Sequence, residues 1–270
     1  QGQVRVIFHD PLAADGSQIG EIMEPEHQAV PSDADQEEIA TLAIKLGMIA
    51  VPVVDEEQKL IGAVPPEALF RILRDEHMED IQRLAGITAH EEGAGAALDA
   101  PLLDRFTRRM PWLVVGLIAS SLVTLVMIRF EETLAQEVRV AFFVPALVYI
   151  AGAIGAQAVS VAVRGLSVRD IALGPLIKGE LVIGLGIGTA LGALSALGVF
   201  AVFQDVMLSL AVGLAVLGGG AVAAVIGFAL PWAFHRVGSD PAMGSGPICT
   251  VIQDASSLLI YFFVASLLIF

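Results

Sequence analysis

Cysteine is all but missing: Cys249 stands alone among 270 residues. No internal disulfide can form, which excludes a secreted disulfide scaffold. Charge is scarce too, with Asp, Glu, Lys and Arg at 16% of residues against about 25% in an ordinary soluble domain. Bases are the rarer sign, 15 Lys and Arg against 29 acids, which excludes a nucleic-acid binder of the usual basic kind. Gln1-Gly2-Gln3-Val4-Arg5 opens no apolar run, so no signal peptide is expected there. The first residue is not Met, and a fragment or processed product is expected. What the chain has in excess is apolar side chains, 56% of residues at a mean hydropathy of +0.76. That excess excludes a single soluble domain.

The excess is unevenly placed. Residues 1–104 carry 21 acids and 6 bases, a net of −15, whereas residues 105–270 carry 8 acids and 9 bases, a net of +1. An acidic water-soluble part is fused to an apolar part. A bilayer core takes about 20 apolar residues of helix. Stretches 110–128, 140–163, 181–204 and 206–234 hold no charge, and 241–270 holds only Asp254. A buried soluble core would need charges on one face of most of its helices, so five transmembrane helices are predicted. Seven bases (Arg105, Arg108, Arg109, Arg164, Arg169, Lys178, Arg236) fall on one side and two (Arg129, Arg139) on the other. The side richer in Lys and Arg is the cytoplasmic one. The acidic N-terminal part is therefore expected in the cytoplasm and the C-terminus outside. Residues 165–180 are expected to lie along the cytoplasmic interface, and the bare Gln204-Asp205 link predicts a tight hairpin of helices three and four. Gly184, Gly188 and Gly192 keep a small-xxx-small spacing that lets backbones approach closely in lipid; helix packing suits it better than a gating hinge.

Polar groups at membrane depth are costly and mark candidate sites. Helix two carries Pro145, Gly152, Gly155 and Gln157. Pro145 is expected to free a carbonyl near position 141, and Gln157 brings an amide into the span. A pore-facing helix fits these residues, and so does a kinked, tightly packed one. Helix five opens Gly238-Ser239-Asp240-Pro241-Ala242, where Asp240 fits an N-cap with Pro241 at the first helical position. The Asp240 carboxylate equally suits a hard cation or its waters. Asp254, further in, must face protein or water, and Asp240 is ranked ahead of it as ion ligand. The candidate donors are all oxygens, which favours a hard cation such as magnesium.

The acidic part reads as a small α+β module. Asp33-Ala34-Asp35-Gln36-Glu37-Glu38 starts a helix, with Asp33 or Asp35 as cap. Residues 50–55 and 60–64 pair as a hairpin, and 67–83 closes as a helix. Gly20-Glu21-Ile22-Met23, the 33–38 run, Val51-Pro52-Val53-Val54-Asp55 and Leu60-Ile61-Gly62 resemble a CBS module. Asp75-Glu76-His77-Met78-Glu79-Asp80-Ile81, a linker helix near 98–109 and the five spans resemble the MgtE family of magnesium channels. So do Arg164-Gly165-Leu166, Asp240-Pro241-Ala242, Gly246-Pro247, Asp254 and Leu258-Leu259-Ile260-Tyr261.

The resemblance implies a multi-domain membrane protein: an α+β CBS-type cytoplasmic module, then an all-α five-helix transmembrane domain. It implies a remnant of a preceding CBS module at 1–15, a CBS module at 16–86, a linker and plug-like connecting helix at 87–109 and the membrane domain at 110–270. The function implied is a magnesium channel or transporter in the plasma membrane, a homodimer with its pore between helices two and five, gated by cations at cytoplasmic acids. Metal ligands are then expected among Asp240, Gln157 and Asp254 in the membrane part and Asp75, Glu76, Glu79 and Asp80 outside it. ATP or another adenine nucleotide is expected at the CBS module. Two residues depart from the family: Ala153 and Ala156 stand where it carries asparagines. A transporter of another cation on the same scaffold, or a CBS-regulated membrane sensor, therefore remains open. An enzyme is not expected, because zinc proteases of the membrane need a second His that His90-Glu91-Glu92-Gly93 lacks.

Overall fold

The computed structural model describes residues 28–88, 99–166, 173–243 and 245–270. The expected module remnant at 1–15, the Gly20-Glu21-Ile22-Met23 motif, His90 to Gly93 and residues 167–172 lie outside them. The chain divides into two compact units, Gln1–Met78 and Glu79–Phe270.

In the first unit, β1 (Val30–Pro31), α1 (Gln36–Leu46), β2 (Val51–Val54) and β3 (Leu60–Val64) precede α2 (Pro66–Leu84), whose first part closes the unit. The sheet order is β1-β2-β3, with β1 parallel to β2 and β2 antiparallel to β3. Asp35 is the cap of α1: its carboxylate accepts the Glu37 N–H at 2.9 Å. Gly47, at φ 64, ends the helix in the left-handed region, where an added Cβ is unfavourable. The Asp55 carboxylate accepts the Lys59 N–H at 2.8 Å and fixes the hairpin turn. Val30, Ile39, Ala43, Val51 and Leu69 form the core. β1 was not expected, because two residues carry no readable period.

The second unit holds the five candidate spans. They are α3 (Leu102–Arg129), the helix α5 (Val144–Leu166) with the 3-10 stretch Val138–Phe143 before it, α6 (Leu173–Phe203), α7 (Val206–Arg236) and α8 (Ser245–Leu268). The short α4 (Glu131–Gln136) links the first two spans. Every one of the charge-free stretches is helical, as read from the sequence, but the helix ends differ. α3 starts before Met110 because Asp104 and Arg108 pair across one turn, Nε to Oδ2 at 3.1 Å, so charge ends the apolar run without ending the helix. Residues 173–180 are the first turns of α6, not an interfacial segment. Pro145 sits in the first turn of α5, where an amide proton has no helical partner to lose. It frees no carbonyl at 141: the Val144 N–H donates to the Ala141 oxygen.

α7 is the central helix, with fifteen buried positions along its length. α6 packs on it through glycine. A Cβ at Gly188 would come 2.7 Å from the Leu217 carbonyl oxygen and 3.0 Å from Leu217 Cα. Such proximity supplies the van der Waals attraction that lipid does not oppose. α5 buries Leu147, Ala151, Ile154, Gly155, Ala158, Val159 and Ala162, the i, i+3, i+4 stripe of a one-faced helix. α3 buries no residue, and Leu113, Leu117, Ile118, Leu122 and Leu125 are all exposed, as expected of a peripheral helix that touches the core only through residues such as Val123, Val126 and Met127.

At the α6–α7 hairpin, Gln204 takes φ 54 and the Asp205 carboxylate caps α7 by accepting the Leu208 N–H at 3.0 Å. Arg139 clamps this corner to the start of the second span. Its guanidinium reaches Glu137 at 2.7 Å and Asp205 at 3.2 Å. The Arg139 hydrogen bonds hold the Glu137 carboxyl down to about 2, from the ordinary 4.5. The folded-state value is the lower one, so the pairing stabilises fully above about 4.5 and is lost as pH falls toward 2. The Tm gap between wild type and Glu137→Gln in detergent is therefore expected to close over that window. A gap that stays constant down to pH about 2 contradicts the pairing.

Candidate functional site

Several polar side chains of the membrane helices lie where α5, α7 and α8 meet. Gln253 on α8 is 2% exposed. Its carboxamide lies where a Cβ on Gly155 of α5 would be, so only glycine at 155 leaves room for it. Its Nε2 donates to the Ala223 carbonyl oxygen of α7 at 3.2 Å and to Cys249 Sγ at 2.9 Å. One amide thus ties three helices together at membrane depth. Asp254 follows directly. It lies eight residues beyond Gly246, the first residue of the fifth span, about 12 Å along the axis at ~1.5 Å per residue. In a hydrocarbon core ~30 Å thick that is near mid-depth. The side chain is half-buried; its Oδ1 is buried and has no hydrogen-bond partner among the described residues. Further along α8, the buried Tyr261 hydroxyl donates to the Val140 carbonyl oxygen at 2.8 Å, holding the 3-10 stretch before α5 against α8.

A cleft of ≈110 Å³ opens between α5 and α8, one turn before Asp254, lined by Ser160, Thr250, Gln253, Val159 and Leu84 among others. Leu84 is the last residue of α2, and its carbonyl oxygen crowds Gly246 so closely that a Cβ there would overlap it.

Asp240 is not the helix cap that the sequence suggested. α8 begins at Ser245, so Asp240 and Pro241 are not its cap and first residue. Asp240 heads the turn before it: Oδ1 accepts the Ala242 N–H at 2.7 Å, and the Met243 N–H donates to its backbone oxygen at 3.0 Å. Oδ2 is taken by the Arg83 guanidinium, which also pairs with Glu79. The Asp240 carboxylate is therefore outside the span and engaged by Arg83, whereas Asp254 is inside it, and its buried Oδ1 has no hydrogen-bond partner among the described residues. Gln157 lies on the exposed side of α5 with Ala156 and Ser160.

The four soluble acids do not form a cage. In the first unit Asp75 pairs with Arg74 at 3.0 Å, and Glu76 accepts from Gln36 Nε2 at 2.6 Å. In the second, Glu79 pairs with Arg83, and Asp80 has a partner of its own. Among the described residues no three of His, Cys, Asp and Glu converge on one point. Each acid is spaced along α2 and engaged locally, so α2 alone offers no three-carboxylate site. Sequence reading missed Arg83 and found Gln253 only as one of several polar residues on one side of the fifth helix. The first lies 157 positions from its partner; the second was one signal short, since Gly155 reads only as a small residue until the amide against it is seen.

A five-span helical membrane domain behind a small α+β module is the class of protein that fold and site define. Residues 144–264 match the MgtE family model, described as a divalent cation transporter, and residues 19–75 match the CBS domain model. The Magnesium transporter MgtE of Thermus thermophilus is 32% identical over 270 residues, covering 97% of this chain and 58% of the relative. Those of Enterococcus faecalis and Bacillus subtilis are each 31% identical, covering 94% and 88% of this chain and 55% and 53% of theirs. The chain spans a little over half the length of these relatives. It carries an MgtE family domain preceded by a CBS domain.

Proposed function

We propose that this chain forms the path of a divalent-cation transporter, with magnesium as the substrate and Asp254 as its intramembrane ligand. The observation that carries the reading is the half-buried Asp254 carboxylate: mid-depth in α8, inside the family-matched domain, with one oxygen, Oδ1, buried and without a hydrogen-bond partner among the described residues. A carboxylate oxygen buried without a partner is costly, and a divalent cation with its waters repays that cost. Asp240, ranked first from the sequence, takes a different part, fixing the turn before α8 through Arg83.

The working unit is a homodimer in the plasma membrane. Gln157 on the exposed side of α5 supports this, since an amide at membrane depth seeks protein or water rather than lipid. The excess of Lys and Arg on one side puts the CBS module in the cytoplasm and the C-terminus outside. Regulation by cations acts through screening of the acid-rich cytoplasmic part, net −15, with Asp75, Glu76, Glu79 and Asp80 contributing charge rather than a cage. The CBS match supports binding of an adenine nucleotide there. Transport of another cation is a second reading, favoured by Ala153 and Ala156 in place of two amides. Uptake in a magnesium-starved host tests both. Restored growth on limiting magnesium, undiminished by equimolar manganese or cobalt, is the expected result; growth restored by another cation alone selects the second reading.

A further inference from the structure

We propose that the first turns of α3 bind an anionic phospholipid, its phosphate held by Arg105 and Arg109 and its chains laid along Phe106 and Leu113. This rests on α3 standing in a bilayer and not on the cation carried.

α3 is longer than a membrane requires. Its 28 residues reach about 42 Å at ~1.5 Å per residue, against ~30 Å of hydrocarbon. The uncharged stretch 110–128 fills the hydrocarbon, so the turns before it lie among headgroups. Counted back from Met110, Arg109 stands about 1.5 Å outside the hydrocarbon and Arg105 about 7.5 Å. A headgroup layer is about 5–7 Å deep on each side, and long arginine stems bring both guanidinium groups into it.

Two stripes run along these turns. Arg105, Arg109 and Trp112 follow at i, i+4 and i+7 and share one side of the helix. Leu102, Phe106 and Leu113 form the neighbouring stripe, exposed at 81%, 58% and 64%. Arg109 is exposed, and Arg105 and Trp112 are half-exposed. Asp104 is paired with Arg108, and among the described residues no acid pairs with Arg105 or Arg109. A soluble anion would meet the two bases and leave the apolar stripe in water. A neutral lipid would cover the stripe and leave the bases unanswered. An anionic phospholipid does both: its phosphate suits the planar guanidinium donors, and Trp112 sits at the level where indole rings favour the membrane interface.

The same turns carry the end of α2. The Thr88 N–H donates to the Arg108 carbonyl oxygen at 3.1 Å, and a Cβ at Gly86 would come 3.2 Å from Trp112 Cβ. A lipid held at Arg105 and Arg109 therefore steadies the platform on which the loop after α2 rests.

Trp112 is the reporter. The chain has two tryptophans, and Trp232→Phe leaves an aromatic ring beneath Arg236 while removing the second indole. This parent is reconstituted whole, with a chelator present, in phosphatidylcholine bilayers that contain either phosphatidylglycerol or phosphatidylcholine brominated on the acyl chains. Bromine quenches an indole that it touches, so the two quenching curves give the relative affinity of the two lipids at this site. A preference of about tenfold for phosphatidylglycerol is expected from two bases near the headgroups. Near parity is expected in Arg105→Gln/Arg109→Gln, with most of the preference kept in Arg105→Lys/Arg109→Lys. Parity in the parent, an unchanged preference in the glutamine pair, or an equal loss in the lysine pair overturns the site. So does loss of the preference on adding millimolar inorganic phosphate at matched ionic strength, which would make it a site for a soluble anion. The readout needs neither magnesium nor flux, so failure of the transport reading leaves it standing.

Discussion

Asp254→Asn is expected to cut magnesium flux about a hundredfold or more and to leave Tm unchanged or raise it. The two signs together identify a functional carboxylate. Asp254 Oδ1 is buried without a partner, so the ionised form is a cost to the fold. The neutral amide of the same shape lowers that cost, and stability has nothing to lose. Flux loses the one negative charge among the described residues of α8. A hundredfold loss corresponds to about 3 kcal/mol at ~1.4 kcal/mol per decade, modest for a divalent ion against a carboxylate in a low-dielectric span. A drop in Tm with unchanged flux would make Asp254 a structural residue, tied to a neighbour by contacts other than a hydrogen bond.

The second large effect is expected at Arg83. Its guanidinium bridges Glu79, one turn earlier on α2, and Asp240 in the turn before α8. These groups and Leu84, which crowds Gly246, hold the end of α2 over the cleft. Arg83→Gln leaves two carboxylates, Glu79 and Asp240, without their shared cation. Both pairs are part exposed, at 35%, 27% and 24% for the three side chains, so screening limits each to about 0.5–1 kcal/mol. Tm in metal-free buffer is expected to fall by a few degrees, at ~2–4 °C per kcal/mol for a chain of this size. Magnesium at millimolar concentration is expected to restore most of it, because a divalent ion replaces the guanidinium between the two carboxylates. Wild type should gain less from the same addition. Equal gains in both proteins would show that Arg83 does not hold those carboxylates.

The architecture was readable because lipid removes ambiguity. Charge-free stretches such as 206–234 have few alternatives to a span, and α7 occupies Val206–Arg236. The CBS hairpin was readable from its turn, since Asp55 and Lys59 do close it. Helix ends were less legible, for physical reasons. Apolarity marks where lipid begins, whereas a helix continues until its backbone is stopped. So α3 and α6 run back through Asp104, Arg108, Lys178 and Glu180, and α5 waits until Val144, where Pro145 falls in the first turn. The site was half legible. Asp254 and Asp240 were both named, but where α8 starts and the arginine 157 positions away that holds Asp240 were not visible. Gln253 needed three helices in place, because its meaning comes from Gly155, Ala223 and Cys249 together.

The central claim is that this chain moves magnesium past Asp254. Magnesium flux into liposomes is the direct measurement, with wild type and Asp254→Asn reconstituted side by side at equal protein density. Wild-type flux well above that of protein-free liposomes, with Asp254→Asn at the protein-free level, is the predicted result. Equal flux through the two proteins, or wild-type flux no greater than that of protein-free liposomes, would contradict it.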